Sequence, residues 1–184
     1  MEQGTPTATE TTKARGTTQT AATTVDEQLQ LVTFEVANEE FAVDILAVQE
    51  INRMMDLTRV PQSPDDVEGV INLRGKIIPV LDLRKRFGFP ASKRDEHSRI
   101  VVVDVNDRVI GFIVDRVHEV LRVSSSIIEP APAMVCSVDS AFIAGVGKLD
   151  DRLLILLDLS QLFSGSMLQS ADEATAAMTP AVSV

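Results

Sequence analysis

Residues Gly69–Phe87 read GVINLRGKIIPVLDLRKRF, and Gly145–Phe163 read GVGKLDDRLLILLDLSQLF. Laid over each other at a constant offset of 76, they are identical at seven of nineteen positions, and most of the others are conservative. A second block extends the match: FEVANEEFAVDILAVQEI (34–51) lies over VDVNDRVIGFIVDRVHEV (103–120) at an offset of 69 without a gap. The change of offset places seven extra residues within 121–144. Two blocks in the same order, separated by one insertion, mark an internal duplication. At the centre of the first pair the charge reverses, from Arg74-Gly75 to Asp150-Asp151. Gly75 is expected to supply the positive φ of a tight hairpin, with Asp151 taking that place in the second copy.

The repeated region is strand-rich. Short Val/Ile runs bounded by Asn, Asp, Gly and Pro predict strands near 30–36, 40–46, 47–52, 69–74 and 76–81. A second series follows near 99–105, 108–114, 116–122, 142–149 and 152–157. VANEEF and VNDRVI read as hairpin turns, and SKRDEHS (92–98) as a charged linker between the series. Five strands in under 75 residues leave exposed edges, which closure into a barrel removes. So small a core is marginal alone, so the halves are expected to pack together with a groove between them. Asp82 and Asp158 are placed to cap short helices, and Leu83/Phe87 and Leu159/Phe163 to plug a barrel end at i, i+4 spacing.

Composition sets the outer bounds. The chain has 184 residues, 45% hydrophobic and 24% charged, with a formal net charge of -10, which fits a soluble globular domain. Residues 1–27 hold ten Thr and few large apolar side chains, so this tail is expected to be disordered, as is 165–184. The domain proper is 28–164, with the first barrel about 28–95 and the second about 96–164. Neither a basic patch nor an aromatic platform stands out, which argues against nucleic acid. No apolar run reaches the roughly 18–20 residues of a membrane span, and the N-terminus lacks a secretory pattern. Cys136 is the single cysteine, so a disulfide framework is excluded and a cytoplasmic, reducing compartment is expected.

Candidate chemistry is sparse. His97 and His118 belong to no HxH, HExxH or Cys/His pattern. The sequence lacks G-x-S-x-G, a Walker loop and GxGxxG. Asp65-Asp66, Asp95-Glu96 and Asp150-Asp151 read as solvated loop charges, and Cys136 as a passive thiol. A small metal-dependent hydrolase built on the paired acids is the rival from another class. The main expectation is a protein with no catalytic residues, no metal and no cofactor, which works through its surface.

Four strings carry a family likeness: EFAVDILAVQEI (40–51), VPQSPDDVEGVINLRGKIIPVLDLRKRFG (60–88), GFIVDRVHEVL (111–121) and IEPAP (128–132). The chain resembles the CheW family of bacterial chemotaxis coupling proteins from about residue 30 to 164. The resemblance implies an all-β fold of two tandem five-stranded SH3-like barrels with short helices. It implies a non-enzymatic, cytoplasmic adaptor that bridges the cytoplasmic tip of a methyl-accepting chemoreceptor to the regulatory domain of the histidine kinase CheA in receptor arrays. A CheW-like adaptor of a surface-motility or second-messenger pathway is the alternative. By the resemblance, receptor contact falls on Val48, Glu50 and Arg74, with Val117 and Val120 nearby in the second half. Kinase contact falls on Glu129, Pro130, Ala131, Pro132 and Met134. Here the chain departs from a common family pattern, with Glu129 where some members carry Arg and Met134 where some carry Phe. On this reading the two tips diverged because the halves serve different partners.

Overall fold

A computed structural model describes residues 27–130 and 138–164. The predicted tails 1–27 (Glu27 apart) and 165–184 lie outside the described residues. The described chain is β-rich. The first half holds β1 (Gln28–Val36), β2 (Glu39–Asp44), β3 (Val48–Arg53), β4 (Val67–Leu73), β5 (Lys76–Asp82) and α1 (Leu83–Arg86). The second holds β6 (Arg99–Val105), β7 (Arg108–Val114), β8 (Arg116–Ser124), β9 (Ile128–Glu129), β10 (Ile143–Lys148), β11 (Leu153–Leu157) and α2 (Leu159–Leu162). Ten of the eleven strands fall where alternation and turn residues predict them. The predicted strand 40–46 instead ends at Asp44, whose carboxylate caps a 3-10 turn, Ile45–Ala47, by accepting the Leu46 N–H at 2.8 Å.

Turn chemistry fixes three hairpins. Ala37-Asn38, Arg74-Gly75 and Asn106-Asp107 all have positive φ at both central residues, between 53° and 84°, as type I′ turns require. The fourth hairpin differs from expectation. Neither Asp150 nor Asp151 has positive φ; the strands are joined by the four residues Leu149–Arg152, closed by the Leu149 N–H to the Arg152 carbonyl at 3.0 Å. A longer loop spares both aspartates the strain that Gly75 relieves. Ala37 lacks that relief. Its Cβ sits at φ 55°, while its counterpart, Asn106, has the side chain best suited to the position. Ala37→Asn is expected to raise stability by about 1 kcal/mol, read as a higher urea midpoint at unchanged slope.

The sheets do not follow the order of the chain. One has five strands in the order β3-β6-β7-β5-β4, and the other six in the order β8-β1-β2-β11-β10-β9. Each half has given its first hairpin to the other half's sheet. The two-sheet arrangement fits the expected SH3-like fold, and both sheets draw strands from both 28–95 and 96–164. The sixth strand, β9, comes from the insertion and spans two residues.

The registers prove the duplication. Val48 opposes Val103 and Ile51 opposes Val101, with a bulge between Val48 and Glu50. At an offset of 69, Val117 opposes Phe34 and Val120 opposes Val32, with a bulge in the same place. The parallel pair Val80–Gly111 maps onto Leu156–Ala42. The pair Gly69–Val80, with its bulge, maps onto Gly145–Leu156.

Three apolar clusters hold the fold. Ile71, Ile78, Val80, Ile100, Val102 and Ile113 pack within the five-stranded sheet. Leu31, Ala42, Val123 and Leu154 pack within the six-stranded one. The largest cluster lies between the sheets and holds Phe34, Phe41, Phe87, Phe112 and Phe163. Leu83, Phe87, Leu159 and Phe163 belong to this joint rather than to the end of one barrel. Their helices are capped as expected, Asp82 accepting from the N–H groups of Arg84 and Lys85, and Asp158 from that of Gln161. Arg86 donates to the Leu162 carbonyl at 3.0 Å. Leu162 is the counterpart of Arg86 at an offset of 76, so this contact marks the pseudo-twofold axis.

Candidate functional surfaces

Glu50 and Arg74 lie on elements that are not hydrogen-bonded neighbours. Glu50 is on the edge strand β3, and Arg74 is at the tip joining β4, the opposite edge, to β5. Their side chains nevertheless meet, Arg74 Nη2 standing 3.3 Å from Glu50 Oε2, so the sheet curls its edges towards each other. Arg74 is 82% exposed and sits on a rigid I′ turn, with the Gly75 N–H bonded to Asn72 Oδ1 at 2.9 Å. The pair is thus a charged, oriented feature at the surface rather than a structural bridge. Exposed pairs of this kind contribute at most about 1 kcal/mol to stability.

Val48, two residues from Glu50, is half-buried against the core between the sheets. Val117, its counterpart on β8, is packed in the same way. Val120 is 49% exposed, as is its counterpart Ile51 at 41%. Ile51 was not singled out from the sequence, although the offset of 69 from Val120 points to it. The structure therefore gives two equivalent edge patches, one per sheet, at the rim of a packed joint, in place of the open groove expected between the halves.

The second patch answers the charge reversal. Arg152 donates to Glu119, the counterpart of Glu50, at 3.2 Å, and pairs with Glu40 at 3.1 Å. An arginine at the hairpin tip meets the same glutamate in both copies, displaced along the chain. Asp150 and Asp151 are then left to face solvent. A further pair is equivalent by position: Gln49 with Asp104 at 3.1 Å, and His118 with Glu35 at 3.3 Å.

Glu129 lies on β9 opposite Val146, and Pro130 follows it; both are exposed. Ala131, Pro132, Met134 and Cys136 lie outside the described residues.

The concave surfaces lie elsewhere and are bordered by charged side chains. Two hollows of about 340 and 330 Å³ share Glu68 and Lys85 as walls. Glu68 is 11% exposed and meets Lys85 at 2.9 Å and Arg94 at 3.0 Å. Burial pushes its carboxyl up, but the bonds and charges of Lys85 and Arg94 more than offset this and hold it below the usual carboxylate range. These contacts pin α1 and the inter-half linker to β4. The sign follows: a depressed carboxyl stabilises the fold fully above its unfolded value of 4.5, and that contribution is lost as pH falls through the folded value. Glu68→Gln is expected to cost about 2 kcal/mol at pH 7 and to flatten the loss of stability below about pH 4.5, measured by urea unfolding at several pH values.

Among the described residues, no group of three or more His, Cys, Asp or Glu is gathered as a metal site, and no helix is long and apolar enough to cross a membrane. What the fold presents is a pair of β modules with charged, oriented contact edges, the class of a binding scaffold. Residues 30–167 match the family model of the CheW-like domain. The chain is 37% identical over 143 residues to the chemotaxis protein CheW of Klebsiella aerogenes, covering 78% of this chain and 86% of that one. It is 38% identical over 137 residues to CheW of Helicobacter pylori, covering 74% and 82%. The crystal structure of the scaffolding protein TtCheW from Thermoanaerobacter tengcongensis superposes with a TM-score of 0.71 at 40% identity, covering 77% of this chain and 91% of that one. The chain belongs to the CheW family, the non-enzymatic scaffold and adaptor proteins of chemotaxis.

Proposed function

We propose that this chain couples the cytoplasmic tip of a chemoreceptor to the regulatory domain of the histidine kinase CheA, acting in the cytoplasm at membrane receptor arrays through these partners. Receptor contact is assigned to the β3 edge, with Val48 and Ile51 as apolar ground and Glu50 and Arg74 as the charged register marks. Val117 and Val120 carry the equivalent positions on β8. Kinase contact is assigned to Glu129, Pro130, Ala131, Pro132 and Met134, rooted on β9. The observation that carries the reading is the Glu50–Arg74 pair, held at the surface by two edges of one sheet and adding little to stability. A helix that lays an apolar face beside it is read in register by the two charges.

Arg74→Glu is the direct test. It leaves the core untouched and sets two like charges side by side. Binding to a receptor cytoplasmic fragment is expected to fall about tenfold, ~1.4 kcal/mol, in a titration, with the melting temperature nearly unchanged. Glu50→Arg in the same chain restores the pair with reversed polarity, and recovers the fold's charge balance without recovering receptor affinity. Unchanged affinity in Arg74→Glu would remove the receptor assignment. Val48→Arg is a poorer probe, because Val48 packs on the shared core and the new charge would disturb the fold as well.

A further inference from the structure

Leu46 is turned outward on a fixed turn. Ile45 and Ala47, on either side of it, pack on the central core. The Val48 N–H donates to the Ile45 carbonyl, and the Leu46 N–H donates to Asp44 at 2.8 Å. The Leu46 side chain is 91% exposed, the most exposed large hydrophobic among the described residues. A leucine held this way has apolar surface to bury and no neighbour that buries it.

The duplication shows what belongs over it. At an offset of 69 the counterpart of Leu46 is Asp115. Asp115 accepts from Arg84 Nε at 2.8 Å and Nη2 at 2.7 Å, and from the Ala37 N–H at 2.8 Å. The same guanidinium donates from Nη1 to the Pro90 carbonyl at 2.9 Å, so the linker that follows α1 is drawn across Asp115. Ser92 and Lys93 of that linker border one hollow with Arg84 and Asp115. The two helices hand the chain on in the same way. Phe87 and Gly88 donate to the Leu83 and Lys85 carbonyls at 2.9 and 3.1 Å, and Phe163 and Ser164 to the Leu159 and Gln161 carbonyls at 3.0 and 3.2 Å. These pairs are equivalent at an offset of 76, so the repeat holds to Ser164, where this part of the described chain stops.

Carried on at that offset, Phe89–Lys93 map to residues 165–169, and Ser92 maps to Leu168. Arg84 maps to Ser160, and Asp115 to Leu46. All three members of the polar group change together: the charged pair is gone, and the linker serine and the aspartate beneath it are both leucine. From this we infer that residues 165–169 follow the course of the linker and seat Leu168 on Leu46, an apolar clasp in place of the Arg84–Asp115 one. The occupant lies within reach, because five residues of linker span the equivalent distance from α1. The clasp closes the second half on the first, next to Val48 on β3, and gives Leu46 an apolar partner from within its own chain.

The test uses the full chain with isotope-labelled Leu and Met methyl groups, and no receptor or kinase, so its outcome is separate from the partner assignments above. Leu46→Ser and Leu168→Ser identify the two leucine signals by deleting them. A nuclear Overhauser contact between the Leu46 and Leu168 methyl groups is expected in the parent chain. Amides 167–169 should exchange about tenfold more slowly than in an unfolded chain. Either serine variant should bring them to the unfolded rate while protection in β2 and β3 is kept, and Leu46→Met, which preserves the apolar contact, should keep them slow. Three results overturn the inference: no Leu46–Leu168 contact, a contact seen only between differently labelled copies in a mixed sample, or protection of 167–169 that Leu46→Ser leaves unchanged.

Discussion

Phe112→Ala is expected to lower stability by about 4 kcal/mol, with both sheets melting together at the reduced denaturant midpoint. Phe112 is on β7, in the five-stranded sheet, and is fully buried. Its ring lies 5.5 Å from Phe34, in the six-stranded sheet, and 6.1 Å from Phe163, just beyond α2. Truncation removes the ring's own burial and leaves a cavity that three elements cannot close together. Because the largest core lies between the sheets, neither sheet can loosen without uncovering it. Two sequential domains would behave otherwise, each with its own core and its own transition. Far-UV circular dichroism and amide exchange, residue by residue, suit a chain without Trp or Tyr, and amides of β4 and β10 should become exposed at one common free energy. Separate transitions for the two sheets would mean that the shared core does not govern the fold. Ile78→Ala, confined to the core of one sheet, is the comparison, with an expected cost of about 3 kcal/mol.

The same interleaving marks the limit of what the sequence discloses. Period-two alternation tells which residues face inward, and turn residues tell where strands end, so ten strands and the three I′ hairpins could be read. Neither signal says which sheet a hairpin joins. The β1–β2 and β6–β7 hairpins fit slots with the same register, so exchanging them changes no local pattern. Strand β9 escaped because two residues before a proline carry no periodicity, and it stands in the insertion, where the repeat offers no template. The charge pair Glu50–Arg74 spans 24 residues and two unpaired strands. Only the family resemblance set those residues side by side before the curl of the sheet did. Asp151 departs from the expected positive φ because the second copy does not conserve the turn type of the first but closes a longer loop.

The repeat's two leading glycines show what their identity is for. Gly69 and Gly145 occupy the same place, on the bulge of β4 and of β10. A Cβ on Gly69 would stand 2.6 Å from the Thr58 carbonyl oxygen, where Thr58 bridges to Val70. A Cβ on Gly145 would stand 2.5 Å from Ile128 Cγ2 and 3.0 Å from the Glu129 carbonyl oxygen. In each copy the missing side chain admits a segment lying against the outer edge of the sheet, and in the second copy that segment is β9. Gly145→Val is therefore expected to expel β9, which holds only the pairs Val146–Glu129 and Gly147–Ile128. The cost should be about 3 kcal/mol, since Ile128 can shift but the backbone of Glu129 cannot without leaving the sheet. Displacing β9 moves the root of the proposed kinase contact and leaves the Glu50–Arg74 edge in place. Affinity for the kinase regulatory domain should fall at least tenfold in a titration, while receptor binding keeps its wild-type value. Equal loss of both would show that the two contacts share one surface, and retention of kinase affinity with β9 amides unprotected would show that the kinase does not dock there. Gly69→Val separates the effects: it strains the φ of +156° and breaks the Thr58 bridge in the other sheet, so its stability cost should come without loss of kinase affinity.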